Sequence, residues 1–322
     1  MQKTGLFAAA VVAVIVLAAI SLFIGVGDVT LTGLLSGEGE QAQLLLAASR
    51  IPRTLALILT GSSLAIAGLV LQIIVRNRFV EPSTIGTTES ASLGFLIATV
   101  LVPAWPMMGK MLIAALFALA GTALFLHLLR RIPPREVLLV PLVGIMLAGV
   151  IGAVTTFFAY RFELLPAMLA WNMGDFSGVL RGRYELLWLG LAATLFAWLI
   201  ADRLTVAGMG EDFSTNLGLN YNRIMAAGLV IVAVISAACL VSTGQIPFLG
   251  LIVPNIVSMM IGDNMRSAVP WVAVMGALIV LACDMAGRLI RFPYEIPISV
   301  VLGVIGSIVF LWLLLRKRHY AQ

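Results

Sequence analysis

The sequence predicts an all-α, polytopic membrane protein whose single transmembrane domain takes in residues 1–322. Composition is the first reason: 61% of the 322 residues are hydrophobic, 11% are charged, and the mean hydropathy is +1.09. A soluble domain has no use for that much apolar surface. Patterning is the second: the apolar residues come in runs of roughly twenty, the length that crosses a bilayer as a helix.

About ten such runs occur, at 5–26, 52–75, 85–102, 109–129, 137–160, 184–201, 223–242, 246–262, 268–287 and 297–315. The first follows a single basic residue, Lys3, and has no clean small-residue cleavage site, so it reads as a span and not as a signal peptide. Glu89 weakens the third. Pro247 and Pro254 break the eighth, which is tolerable only where neighbours satisfy the freed backbone groups. Small residues from Gly61 to Gly68, and the Gly303-x-x-x-Ser307 pair, allow close helix packing. The longer polar loops are 27–49, 161–183 and 202–222.

Charge orients the chain. With the N-terminus inside, twelve of the 20 basic residues fall on the cytoplasmic side, among them Arg76, Arg78, Arg130, Arg131, Arg135, Arg316, Lys317 and Arg318. Eight fall outside: Arg50, Arg53, Lys110, Arg161, Arg181, Arg183, Arg288 and Arg291. Both termini are then cytoplasmic. The net charge of +5 reflects this loop bias and not a nucleic-acid partner.

Several chemistries lack their residues. No G-x-x-x-x-G-K-[ST] phosphate cradle occurs, so ATP hydrolysis needs another chain. His127 and His319 have no metal partner at helical spacing, and Cys239 and Cys283 lie inside apolar runs, suggesting neither disulfide nor metal site. Two acids fall at membrane depth. Asp284 stands four residues before Arg288 and reads as half of an ion pair. Glu89 follows Ser83, Thr84, Thr87 and Thr88 near a helix start, where the dipole favours an anion; lining a pathway is the competing reading.

Ordered motifs run along the chain. Arg50-Ile51-Pro52-Arg53 opens the second span, Gly61, Leu64, Ala65, Gly68 and Gln72 fill it, and Asn77, Pro82 and Gly86 mark the turn after it. Trp171 and Gly174 follow the fifth span. Gly210-Glu211, Ser214 and Leu217-Gly218 lie in the 208–223 loop, and Gly250-Leu251-Ile252-Val253-Pro254 in the eighth span. Asp263-Asn264-Met265-Arg266, Asp284 with Arg288, and Glu295-Ile296-Pro297-Ile298 close the series. In these motifs the chain resembles the permease subunits of type II ABC importers, which carry iron-siderophores, haem and vitamin B12. It departs in Arg78 after the asparagine, in Asn255 where histidine is common, in Ser214 for alanine and in Ser299 for glycine.

The resemblance implies an assembly in the bacterial cytoplasmic membrane: two permease copies or paralogues, two ABC ATPase subunits inside and a substrate-binding protein outside. ATP and Mg belong to the ATPase, and this chain needs no cofactor and performs no covalent chemistry. The segment Gly210, Glu211, Ser214, Leu217, Gly218 and Asn220 would couple to the ATPase as two short helices meeting at Gly218, with Leu217 as apolar anchor. Arg50, Arg53, Arg288 and Arg291 would form an exposed basic rim for an acidic binding protein. Gln72, Glu89, Trp171, Gly174 and Asn255 are pathway candidates. The expected cargo is a ferric siderophore, of catecholate type from the run at 80–91, with vitamin B12 or haem as the alternative. A transporter driven by an ion gradient is the alternative of another class.

Overall fold

The computed structural model describes residues 2–24, 40–129, 131, 139–182, 184–262 and 264–317. Arg130, Arg135, Arg183, Asp263, Arg318 and His319 lie outside them.

The described residues are helical nearly throughout. The helices are α1 (Gln2–Phe23), α2 (Glu40–Leu45), α3 (Ile51–Val75), α4 (Thr87–Leu101), α5 (Met107–Leu129), α6 (Leu139–Arg161) and α7 (Leu165–Asn172). They continue with α8 (Leu187–Leu199), α9 (Ala201–Met209), α10 (Glu211–Asn216), α11 (Tyr221–Thr243), α12 (Leu249–Ile261), α13 (Met265–Ile290) and α14 (Ile298–Lys317). Among the described residues six helices are long and apolar enough to cross a membrane. A seventh is gained if Tyr184–Leu199 and Ala201–Met209, bent by 65°, form one span. The remaining expected spans correspond to shorter apolar helices, Thr87–Leu101, Leu249–Ile261 and Ile298–Leu313.

α3 is the axis of the bundle. A π-turn, Leu46–Arg50, leads into it just before Pro52, and Arg76 ends it in the left-handed conformation. It is buried along most of its length and packs against α8, α11, α12 and α13. Lipid is as apolar as a leucine side chain, so hydrophobicity alone does not hold helices together in a bilayer. Close backbone approach does. A Cβ on Gly68 would lie 1.9 Å from the Gly250 carbonyl oxygen, and one on Gly61 would lie 2.6 Å from that of Gly276. α3 can therefore touch α12 and α13 only because side chains are missing at those crossings.

Two expectations change here. Pro247 does not break the eighth span but precedes it, and only Pro254 lies inside α12. The 161–183 stretch is not a plain polar loop: α7 folds back so that Trp171 meets Phe95 edge-on at 4.9 Å, and Phe176 and Val179 join the core.

Candidate pathway, coupling segment and ion-pair network

Pro254 has no amide hydrogen, so the carbonyl of Gly250, one turn back, lacks its usual helical donor. Gln72 on α3 supplies one: its Nε2 donates to Gly250 O at 3.2 Å and to Leu251 O at 3.4 Å. Asn255 ties the same helix to the turn after α3, donating to Arg78 O at 2.8 Å and to Leu251 O at 2.7 Å. Gln72 and Asn255 thus meet at one seam, beside a cavity of about 360 Å³ lined also by Arg76, Asn77 and Ser258. Trp171 and Gly174 lie elsewhere, where a Cβ on Gly174 would strike Gln245 O at 2.3 Å. Glu89 sits in the first turn of α4, with its Oε2 buried and no partner among the described residues. The five pathway candidates do not converge on one spot.

A third acid has its carboxyl buried, in the turn between α3 and α4. Glu81, 2% exposed, precedes Pro82 and accepts from the Phe248 amide at 2.8 Å and from Ser83 Oγ at 2.7 Å. An acid directly before a proline, in a turn between two apolar runs, was the signal available.

The segment after α8 is built from local rules. α9 and α10 meet at Gly210, whose φ of 133° favours glycine, so the junction of the two short helices is Gly210 and not Gly218. Glu211 opens α10, where its charge complements the dipole. Buried Ser214 bonds back to Gly210 O at 2.6 Å and Val206 O at 3.2 Å, clamping the two helices together. Gly218, with φ of 75°, then turns the chain, and Asn220 caps α11 by accepting from the Arg223 amide. Met209, Phe213 and Leu217 are 63%, 47% and 58% exposed, one at the end of α9, one in α10 and one just after it, three apolar side chains uncovered in an otherwise polar segment.

At the other end of α3 the exposed basic rim is not there. Arg53 Nη2 lies 2.8 Å from Asp284 Oδ1 and its Nη1 lies 2.7 Å from Glu295 Oε2. Arg288 bonds Asp284 through Nη2 and, at 2.7 Å, through Nε, and it reaches Ser21 Oγ at 2.8 Å and Ile24 O at 3.0 Å. Arg50 donates to Leu22 O at 2.8 Å. The expected Asp284–Arg288 pair is present, but it is the hub of a network that joins α1, α3 and α13. Buried charges persist only when paired, and this network pairs them. Of the four arginines only Arg291 is exposed, over the Tyr294 ring at 5.8 Å.

Among the described residues no group of three or more His, Cys, Asp or Glu side chains could hold a metal. Apolar helices around one buried axis define a multi-pass membrane protein. The model of the FecCD transport family matches residues 13–316, and the chain belongs to that family. The petrobactin import system permease of Bacillus subtilis is 46% identical over 95% of this chain and 97% of its own length. The ferric-anguibactin transport system permease of Vibrio anguillarum is 40% identical over the same shares. A solved structure titled as an inward-facing conformation of a metal-chelate type ABC transporter superposes with a TM-score of 0.79 at 26% identity, covering 97% of this chain and 98% of that one.

Proposed function

We propose that this chain is the ten-helix half of a dimeric ABC importer that carries ferric siderophores across the bacterial cytoplasmic membrane, with both termini cytoplasmic. Two ATPase subunits bind the segment from Met209 to Leu217. A binding protein delivers cargo to the opposite face, where Arg291 is the exposed basic contact. No cofactor is held on this chain. The observation that carries the reading is the exposure of Met209, Phe213 and Leu217 on a segment rigidified by Ser214. Uncovered apolar side chains on short, clamped helices suit insertion into a partner's groove. The relatives named for petrobactin and ferric-anguibactin support the cargo class.

The test is reconstitution in liposomes with the ATPase subunits and binding protein, reading ATP-driven uptake of ferric petrobactin labelled with radioactive iron. Uptake of cobalamin or haem in its place would reassign the cargo. Uptake by this chain alone under a proton gradient would replace the mechanism.

A further inference from the structure

Glu81 belongs to no role yet described, although it is among the most buried acids of the chain. It lies at the start of α12. Its carboxylate accepts from the Phe248 amide, the amides of Gly250 and Leu251 face it, and its Cβ would touch a Cβ placed on Gly250 at 3.4 Å. It serves α12 as an N-terminal acceptor delivered from a distant turn, its carboxyl oxygens meeting the backbone donors that open the helix. The residue it holds is unusual. Phe248 has φ of 65°, a left-handed conformation that a bulky residue avoids and that persists only when its surroundings impose it.

That conformation aims Phe248 at α14. A Cβ on Gly306 would meet the Phe248 Cβ at 2.7 Å, so Gly306 is a notch that admits the ring. One helical turn on, Phe310 stacks on Phe248 at 6.3 Å, and Phe79, from the turn that carries Glu81, meets Phe310 edge-on at 6.1 Å. The loop of contacts closes: turn, α12 entry, α14, turn. The turn begins at Arg76, whose Nη2 lies 3.4 Å from the position of a Cβ on Gly210, the joint between α9 and α10.

We propose that Glu81 is a positioning residue that links the Gly210 joint to α14 by holding Phe248 in its left-handed conformation against the Gly306 notch. This rests on the reading of the chain as an ATP-driven permease. Displacement of the α9–α10 segment reaches the turn at Arg76, reaches Phe248 through the Glu81 carboxylate, and reaches α14 through the Phe248 ring. α14 is a fitting output element, because Val304, Ile305 and Ile308 leave it half uncovered.

The test uses the full importer in liposomes. Glu81→Gln keeps size and one acceptor but replaces the other carboxyl oxygen, which meets the α12 amides or Ser83, with an amide donor. It is expected to cut uptake of radiolabelled ferric petrobactin at least tenfold while ATPase activity stays within twofold of wild type. Amide exchange of the 246–252 peptide should accelerate at least tenfold, with the α5 peptide unchanged. Glycine adopts positive φ without help. In a Phe248→Gly background, Glu81→Gln should therefore lower uptake little further, a non-additivity expected only of residues acting as a unit. Gly306→Ala, on the far side of the seam, should uncouple uptake from hydrolysis in the same way if Glu81→Gln inserts poorly. Unchanged exchange at 246–252 in Glu81→Gln, multiplicative losses in the double variant, or full uptake in Gly306→Ala would each overturn the proposal. The exchange measurement needs no cargo. Absence of ATP-driven uptake by wild type would instead count against the permease reading.

Discussion

Replacing Gln72 by leucine isolates one interaction. The side chain is buried, 8% exposed, and leucine has nearly its volume, so the change removes a donor without opening a large cavity. What it leaves behind is the Gly250 carbonyl, which Pro254 has deprived of its helical donor and Gln72 serves at 3.2 Å. A buried carbonyl without a partner costs about 1–3 kcal/mol. At about 2 °C per kcal/mol for a chain this long, unfolding should shift down by about 2–6 °C. The assay is thermal unfolding in detergent, followed by a thiol-reactive dye on Cys239 and Cys283, both buried. The control lies in Pro254→Ala, which returns the missing amide. In that background the cost of Gln72→Leu should fall below about 0.5 kcal/mol, since the carbonyl then has its own partner. Equal costs in the two backgrounds, or no shift in either, would show that Gln72 is not satisfying this carbonyl.

Other perturbations separate the remaining parts. Gly218→Val forces a β-branched residue to φ of 75°, at a cost of about 1–3 kcal/mol, though nothing within 4 Å blocks its side chain. Insertion and binding-protein docking should survive while reconstituted uptake falls about tenfold or more; wild-type uptake would remove this turn from coupling. Gly68→Ala places a methyl 1.9 Å from Gly250 O, so α3 and α12 must part, and detergent-stable yield should drop severely on size-exclusion chromatography. Arg291→Glu should slow capture of the loaded binding protein at low salt without affecting yield. Arg288→Glu should instead abolish yield, because it sets a second carboxylate against Asp284 inside the network, a loss of about 3–5 kcal/mol.

What could be read from the sequence was what local spacing decides. The Asp284–Arg288 pair, the helix start at Glu211 and the positive φ of Gly218 each depend on neighbours within a turn or two, and each stands as expected. The burial of Arg53 depends on Asp284 and Glu295, more than 230 residues away, and positive charge at a helix end reads equally well as a docking rim. The role of Gln72 is set by a proline in a helix whose paired carbonyl lies 178 residues on. Glu81 was visible as an acid before a proline, but hydropathy assigns a turn residue to water by default. Only the fold shows that helix amides replace that water. The junction at Gly210 was missed because Gly218 is the more turn-like glycine by context, whereas Gly210 interrupts what reads as one continuous helical stretch.

The bend after Leu199 has a mechanical consequence. α9 leaves the axis of α8 at 65°, and nine residues of helix make an arm about 14 Å long. Ser214 welds α10 to the far end of that arm, and α9 lies along α3, α11 and α13. A partner that swings the tip by about 10° moves it by about 2 Å, and a close-packed interior does not absorb so large a step by compression. If the break at Ile200 stays rigid, as the proposed ATP-driven permease requires, the displacement appears as rotation of the helices that α9 lies along. On that reading the arm acts as a gear, turning a sideways push on α10 into torque on the buried axis of the bundle.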